Sequence, residues 1–376
     1  MLGLYIHVPF CVQKCNYCDF NSFKIKGNDK KEYLNAIEKE MKLYSDEFKN
    51  KQFDSVFFGG GTPSILNIEE LKRLVGSVFK NFNIKETAEV SMECNPGTIN
   101  KEKLIHMKEL GINRLSIGLQ AIQNHHLKYI GRIHSYEEFE KNYLEAKEVG
   151  FDNINIDLMY ALPNHKKEEW KESLDKIISL NPSHISAYSL ILEEGIKLHE
   201  MYDNEEFSLL DEDTDIEMYN YTINKLKENG YNQYEISNYS KEYKECKHNI
   251  IYWKCDNYLG LGPGASGYIG DIRYNNISDL NEYNHKISQN IKPIEEETIL
   301  SEKDKIEEFI FMGLRMNEGI SLKVFKERFN ISIEDIYKEP IEKLIASKLL
   351  ELDKDNLKLT QKGREISNTV FIEFIN

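Results

Sequence analysis

No stretch of the 376 residues approaches the roughly 20 consecutive apolar side chains that cross a bilayer, so membrane insertion is not expected. The opening segment MLGLYIHVPF has no positively charged lead and only a short apolar stretch, so it does not read as an export signal. Cysteine is scarce: the six are Cys11, Cys15, Cys18, Cys94, Cys246 and Cys255, too few for a disulfide scaffold. Positive charge is in deficit, with 48 Lys plus Arg against 63 Asp plus Glu and a net charge of −15. Such a surface repels phosphates, which argues against a nucleic-acid partner or a general anionic-membrane binder. A local basic patch, peripheral membrane association, and a monomeric or homodimeric state all stay open. Low-complexity tracts and sequence repeats of 20–50 residues are missing too. A cytoplasmic location is expected. There, three cysteines crowded into the first 18 residues favour metal or redox chemistry.

What is present is a 40% hydrophobic chain with a repeating rhythm. Apolar runs at 2–8, 55–58, 88–94, 114–120, 153–160 and 184–192 read as strands. Helical patterns lie between them, starting at Lys31, Ile68 and Ser135. The last has a Ser N-cap with Glu138 three residues on, and Gly150 as its C-cap. Alternation at this spacing predicts βαβ units and a parallel sheet. Six units by about residue 230 fit a partial (βα)6 barrel; a full (βα)8 barrel needs about 250 residues. A doubly wound sheet competes. The barrel is favoured because Gly59–Gly61, Glu93, Gln120 and Asp157 fall near C-terminal strand ends, the rim that carries chemistry in barrels. The expected divisions are a barrel over 1–230, a connecting segment over 231–300 broken by Gly and Pro, and a helical, winged-helix-like module over 301–376.

Cys11, Cys15 and Cys18 form C-x3-C-x2-C directly after the first predicted strand. Three thiolates on one short loop wrap one face of a [4Fe–4S] cluster and leave one iron open, as a catalytic rather than a closed metal site requires. A zinc site or three unrelated buried cysteines are the alternatives. Zinc knuckles normally add a second C-x2-C pair downstream; Cys246 and Cys255 could supply ligands, but not at that spacing.

The string YIHVPFCVQKCNYCDF resembles the signature of the radical S-adenosylmethionine (SAM) family, in the branch of oxygen-independent coproporphyrinogen oxidase and its relatives. GGGTPS (59–64), SMECNPGT (91–98), RLSIGLQ (114–120), IGRIHS (130–135), NIDLMYALP (155–163), HNIIYW (248–253) and LGLGPGA (259–265) extend the resemblance over about residues 1–300. It implies a radical-SAM partial barrel in which the cysteines hold a [4Fe–4S] cluster that binds SAM and cleaves its sulfonium bond. Gly60, Gly61 and Thr62 are then expected at the amino end of SAM, where a backbone without Cβ atoms allows close approach. Glu93 would accept from a ribose hydroxyl or amino group, and Gln120 would both donate and accept. Arg132 would pair with the SAM carboxylate, and Asp157 would face the ribose or substrate. Tyr5, expected at the end of the first strand, matches a ligand-contacting tyrosine, and Tyr17 is expected beside the adenine.

Within that branch, departures favour the heme chaperones over the oxidases. The oxidases carry a further cysteine where this chain has Phe20, and an N-terminal extension before the first strand, which here begins at residue 2. HNIIYW matches the HNxxYW motif of the heme chaperones. The implied function is to bind heme and pass it to heme-requiring proteins. A coproporphyrinogen III oxidase or another tetrapyrrole-modifying enzyme is the alternative. His248 is the expected axial ligand, with Tyr252 and Trp253 packing the macrocycle. Cys94, Cys246 and Cys255 are expected to be buried thiols. Relatives often have a histidine after GPGA, where this chain has Ser266.

Overall fold

The computed structural model describes residues 1–375. Six strands run parallel and lie side by side in chain order: β1 (Leu2–Val8), β2 (Gln52–Gly60), β3 (Asn83–Cys94), β4 (Arg114–Gln120), β5 (Asn153–Tyr160) and β6 (His184–Ser189). Helices α1 (Asp29–Phe48), α2 (Ile68–Asn81), α3 (Lys101–Glu109), α4 (Tyr136–Val149) and α5 (Lys167–Leu180) lie between successive strands. Alternation along each strand sorts its two faces. Leu4, Ile6, Val56, Phe58, Leu115, Ile117, Ile154 and Ile156 enter the main core. The intervening positions are polar or aromatic and line the concave face of the sheet. The cap at Ser135 forms as expected: its side chain accepts from the Glu138 amide, and Gly150 ends α4 with φ of 92°.

The segment 231–300, read above as a connection, contributes six further strands to the same sheet. β7 (Asn232–Glu235) and β8 (Asn238–Ser240) form an antiparallel hairpin beside β6. β9 (Asn257–Leu261) runs parallel to β1 on its other side. β10 (Ser266–Ile269), β11 (Ile272–Asn276) and β12 (Ile294–Ile299) continue outward antiparallel. One open sheet of 12 strands results, with the (βα)6 arc at its centre.

The C-terminal part has its own core, built on Phe309, Phe325, Phe329 and Tyr337. It holds helices Glu302–Leu314, Leu322–Phe329 and Ile333–Ala346, followed by the hairpin Leu350–Asp353 and Asn356–Leu359. Arginines seat it on the 231–300 segment. Arg273 pairs with both oxygens of Glu308 at 2.6 and 2.8 Å, and the Arg315 guanidinium lies 4.6 Å over the Trp253 ring.

Candidate functional site

β1 leads straight into Phe10–Cys11, which pairs with Phe23–Lys24 and closes the base of the cysteine loop. The loop is pinned to the turn at Tyr129–Gly131. The Asn16 amide donates to the Ile130 carbonyl at 2.9 Å, Asn16 Nδ2 to the Tyr129 carbonyl at 2.8 Å, and Gln13 Nε2 to the Gly131 carbonyl at 3.1 Å. The next residue is Arg132, so one set of bonds positions both the thiols and the guanidinium. Arg132 Nη1 donates to Cys15 Sγ at 3.7 Å, and Nη2 to Asn95 Oδ1 at 2.7 Å.

Cys11, Cys15, Cys18, Tyr17, Gly60, Gly61, Thr62, Glu93, Gln120, Arg132 and Asp157 all line one cavity of about 330 Å³ on the concave face. The three cysteines are free thiols. Burial pushes the Cys11 and Cys18 thiols up, opposed at Cys11 by hydrogen bonding with Thr62 and Ser22. Arg132 Nε is buried without a partner. Three thiols on one wall and a half-satisfied guanidinium opposite are a donor set that fits an iron–sulfur cluster and a carboxylate-bearing ligand.

The glycine turn is also required by the fold itself. A Cβ on Gly61 would lie 2.7 Å from the Phe10 carbonyl oxygen, and one on Gly60, whose φ is +107°, would lie 2.5 Å from the His7 ring. The Gly61 and Thr62 amides donate to the Val8 and Phe10 carbonyls at 2.8 and 2.7 Å. The missing side chains therefore first let this turn knit to the strand that carries the cysteine loop.

The two acids on the floor resist ionisation. Burial, then the neighbouring Asp157, pushes the Glu93 carboxyl up to about 8, against the Gly60 amide that donates to it at 3.0 Å. Burial raises Asp157 as well, although Ser116 and Asn155 donate to it at 3.0 and 2.7 Å. Gln120 ends β4 with φ of +76°, beside a register shift, and accepts from the Tyr188 hydroxyl at 3.2 Å. Backbone held in that region by its surroundings is a mark of functional sites.

Tyr5 and His248 lie in a second cavity of about 500 Å³ that shares Phe20, Phe57, Glu93 and Asn249 with the first. Tyr5 sits mid-strand rather than at the end of β1. It stacks on Phe57 at 6.3 Å, and its hydroxyl meets His7 Nδ1 at 3.0 Å. Tyr252, Trp253, Tyr258 and Arg273 complete the walls. His248 is 1% exposed and stacks on Phe57 at 5.1 Å. Its Nδ1 meets Ser55 Oγ and its Nε2 the Tyr252 hydroxyl, both at 2.8 Å. Burial lowers its pKa to about 3, so the ring is neutral. The expected axial ligand thus has both nitrogens engaged within the protein.

Sequence reasoning missed Asn95, the floor residues Asn155, His184 and Ser186, and Tyr188, all of which line the first cavity. Counting by twos along β5 and β6 would have found all but Asn95, because polar residues at alternate positions share the concave face.

Residues 5–177 match the family model of the Radical SAM superfamily, and residues 300–366 that of the HemN C-terminal domain. Heme chaperone HemW of Lactococcus lactis is 37% identical over 375 residues, covering 99% of this chain and 96% of its own length. The chain belongs to the HemW family. Heme chaperone HemW of Bacillus subtilis is 35% identical over 376 residues, with 100% and 99% covered. Among solved structures, coproporphyrinogen III oxidase (HemN) from Escherichia coli, a radical SAM enzyme, shares the fold, with a TM-score of 0.87 over 99% of this chain and 89% of that one at 24% identity. The partial barrel of this HemW-family chain is thus a radical-SAM fold with its C-terminal part included. Among the described residues, no helix is long and apolar enough to cross a membrane.

Proposed function

We propose that this chain is a heme chaperone that carries a [4Fe–4S] cluster on Cys11, Cys15 and Cys18, binds SAM beside it, and holds heme in the adjoining aromatic cavity. The observation that carries the reading is the pair of connected cavities. One is ringed by thiols and polar groups, the other walled by stacked aromatic rings. When bound, the cluster and SAM would supply reductive cleavage of the sulfonium carbon–sulfur bond. The chain's own part is binding and orientation. Arg132 offers its unsatisfied Nε edge to a carboxylate. Glu93 and Asp157, raised by burial, gain a partner when a cationic sulfonium or ribose hydroxyls enter. Tyr17 packs near the adenine.

The second cavity, with a volume in the range of ligand pockets, suits a flat apolar macrocycle with two acidic arms. Tyr5, Phe57, Tyr252 and Trp253 supply faces, and Arg273, whose Nη atoms are paired with Glu308, lies at its wall with Nε unpaired. His248 serves there first as a wall. Ligation of iron by its Nε2 requires the Tyr252 hydroxyl to turn away. The heme would pass to heme-requiring proteins, with the chain, in the cytoplasm, acting as monomer or homodimer.

The test is anaerobic reconstitution followed by heme titration and an assay with coproporphyrinogen III, SAM and reductant. Saturable heme binding and no porphyrin oxidation are expected. His248→Gln should weaken binding by about 5- to 150-fold if iron is ligated there, equivalent to roughly 1–3 kcal/mol. Unchanged binding leaves His248 a wall only. Decarboxylation of coproporphyrinogen III at about 1 s⁻¹ or faster would overturn the chaperone reading in favour of the oxidase.

A further inference from the structure

Beyond the end of β4 the chain turns through a short helix, Asn124–Tyr129, that carries His125 and His126. It abuts the start of α5, where Glu169 occupies the third position. His125 Nε2 lies 3.3 Å from Glu169 Oε1, and His126 Nε2 lies 3.3 Å from Oε2. One donor atom from each of the three residues falls within 4.8 Å of the others. His165 packs against His126 with ring centroids 4.8 Å apart. It is 3% exposed, and neither of its ring nitrogens has a partner.

We propose that His125, His126 and Glu169 bind a divalent cation of the zinc class, with His165 as the inner imidazole that the ion or its bound water satisfies. Zinc bonds of about 2.1 Å in tetrahedral array set neighbouring donors roughly 3.4 Å apart, close to the 3.3 Å between each histidine and the Glu169 oxygen it faces, and the two histidines face different oxygens, so the carboxylate would bridge or chelate. Two histidines, one carboxylate and an open position is a recurrent zinc donor set. A plain His–Glu contact leaves His165 unexplained. A buried imidazole carries one N–H and one lone pair, and buried polar groups are seldom left without partners. The carboxylate is also held from behind: the Lys166 amide donates to Glu169 Oε2 at 3.0 Å, the kind of outer bond that orients a metal ligand. None of these residues lines either cavity described above.

The test uses the full chain with its iron–sulfur cluster already loaded, so that the three thiols are occupied. Titration with Zn²⁺ alone, read by metal content after dialysis and by thermal midpoint, should show a single zinc per chain and a rise in midpoint. His125→Ala, at an exposed position, and Glu169→Gln should each weaken binding by at least about tenfold, the scale set by loss of even an outer-shell partner. His165→Phe, which keeps the volume, should weaken it in the same direction. No retained zinc at micromolar free metal, or retention unchanged in both His125→Ala and Glu169→Gln, overturns the proposal.

Discussion

Cys11, Cys15 and Cys18 differ from the other thiols in their surroundings. Cys94 and Cys246 also touch the first cavity, but burial pushes both thiols up to about 12, and at Cys246 the neighbouring Glu89 adds to it. Burial raises the Cys11 and Cys18 thiols too, so what sets the three loop cysteines apart is their placement together on one short loop. Alanine at the three loop cysteines together should therefore abolish bound iron and sulfide, while Cys94→Ala and Cys246→Ala keep them, as chemical analysis of reconstituted protein will show. The cysteine motif was legible because it is local. The setting of His248 was not, because its partner Ser55 lies 193 residues away in sequence. Glu40 shows the same limit. Buried in α1, it accepts from the Gly262 amide, Asn276 Nδ2 and the Tyr283 hydroxyl at 2.8, 2.7 and 2.6 Å. Burial outweighs these bonds and raises its carboxyl from 4.5 to about 7. Its folded pKa exceeds the unfolded one, so its contribution to stability is full below pH 4.5 and fades as pH climbs to about 7. Over that interval the free energy of unfolding should fall by on the order of 2 kcal/mol. Glu40→Gln should flatten this dependence in denaturant titrations run at several pH values. An equal slope in the variant would discard Glu40 as its source.

Among the elements, the glycine turn after β2 is the one on which the cysteine loop leans. Gly61→Ala drives a methyl into the Phe10 backbone, an overpacking that costs about 1–3 kcal/mol. It should lower the melting midpoint and, because the displaced strand carries Cys11, should also reduce iron retained after gel filtration. A variant with a lowered midpoint and full iron would separate the turn from the loop. The six parallel strands and the cap at Ser135 were readable, since alternation and capping are properties of a few neighbouring residues. The late strands were not. Whether YLGLGPG pairs with its own neighbours or with β1 is decided by tertiary packing, and nothing local to 257–261 records that β9 lies parallel to β1.

At the scale of the whole molecule, the C-terminal part stands over the aromatic cavity, and Met312 from its first helix reaches the lining. The double hydrogen bond from Arg273 to Glu308 spans that junction. Its loss in Arg273→Ala should cost roughly 1–2 kcal/mol at this half-buried pair. Heme should dissociate faster from that variant in stopped-flow transfer to apomyoglobin, and protease should cut sooner near residue 300. The sheet also carries a consequence for how the chain is made. β1 lies between β2 and β9, and Leu2 is paired with Asn257. During synthesis at about 5–20 residues per second, roughly 13–50 seconds pass before that second neighbour leaves the ribosome. Until then the strand feeding Cys11 has one bare flank, and the three thiols are not yet in their final setting. Cluster insertion is therefore expected only after β9 has emerged, and a ribosome-stalled chain ending before residue 257 should take up little iron.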